Sequence, residues 1–360
     1  MKAVAAHAPG RVELLGNHTD YNEGYVLSAA IDRGVTLEGR RTEDDRITLN
    51  SSAMGMAAVA NIKDLRPEKT WGDYPLGVVK CFLDEGFPVG GFEAEITSDL
   101  PVGAGLSSSA AIEVATATLL VKLFELEVDP LRIARLCRRA ENEFVGMNCG
   151  LLDQASSVFG KEHHAIFLDC RSETVKTVAF PNDLALLVTH SGVKHALVGG
   201  EYNERREQCF EAAKRLGART LRDVSLEQLL AARNDLPPLL YKRALHIVGE
   251  NDRVLQGVEF LKNNEAERFG KLMFESHESS RFNFENSTPE LDALVVLASK
   301  EDGILGSRLT GGGFGGATVS LIRHGAAASI KESLSLKYKE LTGNDCEIYV
   351  CDIAQGARIL

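Results

Sequence analysis

The chain has 360 residues, too long for one hydrophobic core to grow comfortably and suited to about two domains. Hydrophobic residues make up 44% and charged residues 25%, a globular balance that excludes a disordered chain, a collagen-like repeat and a disulfide scaffold. Forty Lys and Arg against 51 Asp and Glu leave a net charge of −11, which argues against nonspecific binding to nucleic acid or to an anionic membrane.

From the N-terminus, positions 1–15 carry a short Ala/Val run broken by Pro9, Gly10 and Arg11, too short for the apolar region of a signal peptide. Segments 36–40 and 46–50 read as strands. In 92–97, Phe92, Ala94 and Ile96 alternate with Glu93, Glu95 and Thr97, the period-two pattern of a half-buried strand. Segment 110–126 is apolar almost all round and predicts a helix buried on most sides. Glu113 and Lys122 interrupt it, so it falls short of the roughly 18 apolar residues of a membrane span. Asp129 caps the next helix with Pro130 at its first position, and Ile133, Leu136, Cys137, Ala140 and Phe144 share one stripe of it. Strands follow at 175–180 and 184–190, then a strongly helical stretch over about 201–300. Strands return at 304–309, 318–322 and 347–350, with a helix near 326–341 between the last two. This irregular order predicts an α+β fold rather than a doubly wound sheet, with a boundary near Pro181. Seven scattered cysteines without a CxxC pair point away from zinc and redox sites and towards a reducing, cytoplasmic compartment.

Segment 98–111, Ser-Asp-Leu-Pro-Val-Gly-Ala-Gly-Leu-Ser-Ser-Ser-Ala-Ala, stands between a strand and a long helix. Gly103 and Gly105 allow a sharp turn and close approach to a ligand; Ser107, Ser108 and Ser109 offer hydroxyls and free amides at the helix's positive end. Such a place suits phosphate, although it lacks the Gly-Lys-Ser/Thr of a Walker loop and also reads as a plain turn with a serine cap. Segment 8–24 gathers Arg11, Asn17, His18, Asp20 and Asn22, a density of donors and acceptors that fits a sugar's hydroxyls or, equally, a solvated turn. Segment 310–316 places five glycines in seven positions, suited to lying against a ligand or another loop, or to a hinge. Asp153 stands early in a short helix ending near Gly160, as a base towards a hydroxyl or as a first-turn Asp favoured by the helix dipole.

Together these segments resemble the GHMP small-molecule kinases, and within them the galactokinase branch. The likeness runs through 10–24, 101–111, 146–154, 200–209, 275–280 and 309–316. The resemblance implies two lobes, 1–180 with the sugar and phosphate loops and 181–360 with the glycine-rich loop, around one cleft. It implies ATP with Mg2+ as phosphoryl donor and galactose as acceptor at its C1 hydroxyl, giving galactose 1-phosphate for galactose catabolism. Asp153 matches the catalytic aspartate and Arg11 the arginine beside it. Ser109 and Glu141 match the magnesium ligands, which suits a hard ion that prefers oxygen. Asn17, His18, Asp20, Gly150 and Tyr202 match sugar contacts. Gly103, Gly105, Leu106 and Ser107 to Ser109 match the phosphate loop, and Trp71, the sole tryptophan, stands with Tyr74 where adenine is held. The partners implied are a sugar and MgATP, with neither nucleic acid nor membrane, for a chain acting as a monomer.

The sequence departs from this pattern at Asn17, where relatives usually carry Glu near the sugar's C6 hydroxyl, and at Ser28, where they carry proline. A neutral amide should repel a C6 carboxylate less than Glu does, which leaves a kinase for a uronic acid, deoxy-sugar or amino sugar as the alternative. A non-catalytic galactose sensor is a further one. Against it, the serine run, Asp153, Arg11 and the metal ligands are all present.

Overall fold

A strand buried along nearly its whole length opens the chain and underlies the rest. The structure is a computed structural model describing residues 2–101, 105–193 and 198–360. Strand β1 (Val4–Leu15) pairs antiparallel with the 17-residue β2 (Tyr25–Arg41). From Ala8 onward every β1 residue is buried, so the strand shows no polar alternation. β3 (Arg46–Ser51) and β4 (Ala58–Asn61) form a hairpin, and helix α1 (Asp73–Asp84) follows. β5 (Phe92–Ser98) lies between β2 and β3, antiparallel to the first and parallel to the second. Its Phe92, Ala94 and Ile96 are buried and Glu95 is exposed, as the alternation predicts.

Helix α2 (Ser108–Leu123) packs its alanine-rich surface on β1 and β2, and even its Glu113 and Thr116 are buried. Small side chains bring a helix close to a sheet, which is why this apolar run belongs to the core. Helix α3 (Pro130–Arg139) begins at Asp129, whose carboxylate accepts from the Arg132 amide at 3.0 Å. α3 continues into a wider turn over Ala140–Val145, and α4 (Leu152–Phe159) ends at Gly160. β6 (His164–Asp169) and β7 (Thr174–Ala179) extend the sheet from the first residues of β2.

The second half builds a four-stranded antiparallel sheet in the order β11-β8-β10-β9. It comprises β8 (Leu184–His190), β9 (Ile304–Thr310), β10 (Ala317–Arg323) and β11 (Glu347–Cys351). Between β8 and β9 come α5 (Val198–Arg215), α6 (Leu226–Ala231), α7 (Pro238–Lys262), α8 (Ala266–Ser279) and α9 (Pro289–Ala298). Helix α10 (Ala327–Thr342) connects β10 to β11. Leu186 and Val188 of β8 share a core with β1 and α2, while Ala185 and Leu187 face Ile330 and Leu334 of α10. Finally β12 (Arg358–Ile359) returns to the first sheet beside β1. The mixed order of helices and sheets is the α+β architecture read from the sequence. The seven cysteines are free thiols, and among the described residues no helix is long and apolar enough to cross a membrane.

Candidate active site

The backbone of β1 runs directly beneath the start of α2. A Cβ at Gly10 would fall 2.6 Å from Leu100 Cδ2 and 2.7 Å from the Leu106 carbonyl, so only glycine permits this approach. One residue on, the Arg11 amide donates to the Leu106 carbonyl at 3.1 Å. The Arg11 guanidinium places Nε and NH2 each 2.7 Å from Asp153 Oδ1, and NH1 2.7 Å from the Gly105 carbonyl. Asp153, in the first turn of α4, accepts a second bond on Oδ2 from the Ser107 hydroxyl at 2.5 Å. Ser107 has a left-handed backbone (φ 57°) ahead of α2 and makes no capping bond; its hydroxyl serves Asp153 instead. The serine-cap alternative is thereby set aside for Ser107, while Asp153 is a first-turn Asp that also pairs with Arg11. Ser108 is exposed at the helix start, and Gly103 lies outside the described residues.

A cavity of about 400 Å3 opens beside this pair, lined among others by Glu13, Asn17, His18, Asp20, Gly150, Asp153 and Tyr202. The loop over 16–24, between β1 and β2, forms one wall and is pinned from the second half of the chain. Glu250 Oε2 on α7 accepts from the amides of Gly16 and Asn17 at 2.9 and 3.0 Å, and Oε1 from Arg253 Nε at 2.6 Å. Burial pushes Glu250 upward, but Arg253, Arg308 and the Asn17 amide outweigh it and hold the carboxyl well below its usual range. Asn251 accepts from the Tyr25 amide, and His246 Nε2 stands 3.2 Å from the Asn17 carbonyl.

Within that loop the side chains divide. The Asn17 Nδ2 donates to Glu13 Oε1 (3.1 Å) and the Gly311 carbonyl (2.8 Å), while its Oδ1 accepts from Asn286 Nδ2 (2.9 Å). His18 Nε2 meets the Gly312 carbonyl at 2.9 Å; a carbonyl only accepts, so Nε2 carries the proton and Nδ1 accepts from the Tyr21 hydroxyl at 2.8 Å. Burial lowers His18 to about 4, so the ring is neutral. These two side chains hold the glycine-rich loop in place. Asp20 comes so close to Gly150 that a Cβ there would meet its Oδ2 at 2.3 Å. Burial raises Asp20 to about 6, with the nearby charges of Glu13 and Asp153 adding to the shift. The Tyr202 ring packs 4.9 Å from that of His18.

Beneath the start of α2 lies a second polar group. Glu141 hydrogen-bonds Ser109, and its Oε2 accepts from Gln154 Nε2 at 2.6 Å and from the Cys149 thiol at 3.3 Å. The same Gln154 nitrogen donates to Glu113 Oε2 at 3.0 Å, leaving Glu113 Oε1 buried without a partner. Burial, then the Asp153 charge, raises Glu141; burial, then Glu141, raises Glu113. Tyr74, in the first turn of α1, feels both carboxylates, and Trp71 packs half-buried just before it. Neither aromatic lines the cavity. Ser28 meets Ser156 at 2.7 Å, away from this chemistry.

Glu13, Arg308, Asn286, Glu250, His246 and Glu113 were not singled out by sequence reasoning as site residues. Glu113 alone left a trace there, as the carboxylate that breaks an apolar run.

A glycine-bearing turn into a serine-rich helix start, bonded directly to a carboxylate–guanidinium pair, defines a GHMP small-molecule kinase. Residues 73–161 match the profile of the GHMP kinases N terminal domain, and 258–340 that of the GHMP kinases C terminal region. Residues 1–41 match the galactokinase galactose-binding signature. A galactokinase of Haemophilus influenzae is 42% identical over 365 residues, covering 99% of this chain and 95% of that protein. One from a Roseiflexus species is 41% identical over 98% of this chain and 92% of its own length. The structure of Lactococcus lactis galactokinase complexed with galactose superposes with a TM-score of 0.95 at 32% identity, covering 100% of this chain and 95% of that one. A mevalonate kinase at 23% identity, with a TM-score of 0.68, shares the fold. The chain belongs to the galactokinase family.

Proposed function

We infer that the chain transfers the terminal phosphoryl group of ATP to the C1 hydroxyl of D-galactose, giving galactose 1-phosphate. The observation that carries this is the Arg11–Asp153–Ser107 constellation beside a sugar-sized cavity lined by Asn17, His18, Asp20 and Tyr202. Asp153 takes or orients the proton of the C1 hydroxyl, while Arg11 compensates its charge and that of the moving phosphoryl group. The free amides at the start of α2 receive the phosphates. Asp20, the Gly150 backbone and Tyr202 bind the acceptor directly; Asn17 and His18 act mainly by fixing the loops around it. Trp71 and Tyr74 cover the adenine side.

Ser109 and Glu141 fit a hard divalent ion, since a hydroxyl and a carboxylate already hydrogen-bonded to one another offer two adjacent oxygens. Mg2+ held there would screen the phosphate charge. The halves 1–180 and 181–360 act as two lobes around this cleft, joined by the continuous core.

An ATP-coupled assay across a panel of monosaccharides should show turnover with galactose. Asp153→Ala should lose about 1,000-fold in kcat while remaining folded. Wild-type rates in that variant would remove Asp153 from the mechanism.

A further inference from the structure

The strand that carries Arg11 brings a second charged side chain to the same cavity. Glu13 is only 4% exposed and belongs to the cavity lining. Residues 11–13 pair regularly with β2 (Arg11 with Ala30, Glu13 with Ser28), so Arg11 and Glu13 project from one face of β1, roughly 6.5 Å apart along it. Arg11, through Asp153, marks where the reacting hydroxyl sits. Glu13 therefore faces the far edge of an acceptor ring lying in the cavity.

Burial raises the Glu13 carboxyl, while Arg308, Arg11 and Asn17 oppose that shift and favour its charged form. Its Oε1 accepts from Asn17 Nδ2 at 3.1 Å and from Arg308 NH1 at 3.2 Å. Arg308, on β9, is fully buried, and its Nε and NH2 have no partner. Among the described residues Glu13 is its one salt-bridge partner. Removing the charge at 13 leaves that guanidinium without its ion-pair partner in the core, which burial makes unfavourable. Asn17, the departure from the family pattern, is the neutral member of this pair.

We propose that Glu13 is the specificity-determining carboxylate of the acceptor site, reading the hydroxymethyl edge of the sugar and rejecting a negative charge there, with Asn17 as its positioning partner. This rests on the galactose reading above. A buried carboxylate with an acceptor hydroxyl donating to it discriminates strongly against an analogue lacking that hydroxyl, because the carboxylate is then left unpaired. A sugar carboxylate at that edge meets like charge. The neutral Asn17 consequently does not open the site to uronic acids, since the charge stands four residues upstream. Asn17→Glu alone would set two carboxylates side by side and remove the Asn17 donations to Glu13 and the Gly311 carbonyl. It should weaken the preference for galactose rather than tighten it. Exchanging both residues, E13N together with N17E, keeps one carboxylate, one amide and a counter-ion for Arg308.

Two experiments test this. In the wild-type enzyme, D-galacturonamide and D-galacturonate compete in one reaction; the amide should be preferred about tenfold or more, as for removal of a buried like-charge contact. Equal use, or preference for the acid, overturns the proposal. In E13Q, competition between D-galactose and 6-deoxy-D-galactose gives a ratio that does not depend on how much of the enzyme is folded. The preference for galactose should fall about tenfold, the scale of one hydrogen bond to a charged group, and an unchanged ratio overturns the proposal. Should E13Q not fold, E13D is read in the same way: the shorter carboxylate still compensates Arg308 but withdraws from the sugar, so the preference for galactose should fall, and an unchanged ratio overturns the proposal. Failure of the wild type to phosphorylate galactose would instead refute the function proposed above.

Discussion

Replacing Glu250 with glutamine tests what holds the acceptor loop in shape. The carboxylate is fully buried, accepts two backbone amides on one oxygen and pairs with Arg253 through the other. Glutamine keeps one acceptor oxygen and turns a donor NH2 towards either the two amides or the guanidinium. An orphaned buried amide costs about 1–3 kcal/mol, and a buried charge left without its partner about 3–5 kcal/mol. The expected loss is therefore about 3–5 kcal/mol, a large part of the roughly 5–15 kcal/mol that holds a protein folded. Trp71, the sole tryptophan, reports urea unfolding without an added label. Because the native Glu250 carboxyl lies below its unfolded value, its contribution is complete above that value and is lost as pH falls through the folded one. The gap between wild type and Glu250→Gln should be full at neutral pH and shrink below about pH 4.3. An unchanged urea midpoint, or a gap that grows on acidification, would refute the reasoning. The galactose KM should rise as well, since the loop carries Asp20.

Ser107→Ala removes the second bond to Asp153 and should lower kcat about tenfold, with little change in galactose KM, measured under saturating ATP. Asp20 titrates near 6 in the folded protein; if its ionised form accepts sugar hydroxyls, galactose affinity strengthens as pH rises through about 6 and levels off above. KM measured from pH 5 to 8 checks this, and a flat profile sinks it. Gly150→Ala places a methyl where Asp20 Oδ2 sits, so galactose KM should rise about tenfold while ATP KM stays put, as one lost hydrogen bond to a charged group predicts.

Much of the architecture was open to a reader of the sequence, and the reasons are local. β5 announces itself because one of its faces is wet, and α3 because Asp129 and Pro130 write its start. β1 escapes notice because burial of both faces erases alternation and Pro9 and Gly10 look like a turn. The reacting pair is another matter. Arg11 and Asp153 stand 142 positions apart, so only likeness to a family joins them before coordinates do. The direction of the Ser107 hydroxyl depends on one left-handed residue, which no serine run foretells. His246 and Glu250, one helical turn apart on α7, look like ordinary polar residues in a helix; their burial against a distant loop makes them structural. Asn17 shows the opposite hazard: read singly it gives no sign of the Glu13 carboxylate to which its Nδ2 donates.

The dependence of the acceptor loop on α7 also has a consequence for biogenesis. Gly16 leaves the ribosome 234 residues before Glu250, its clasp. At typical synthesis rates that is a wait of about 12–50 s. During that time the nascent first sheet must persist with its ligand-recognising turn unsecured, exposed to chaperones and proteases. Sugar recognition therefore matures late in translation, and a ribosome stalled before α7 would carry a chain unable to hold galactose.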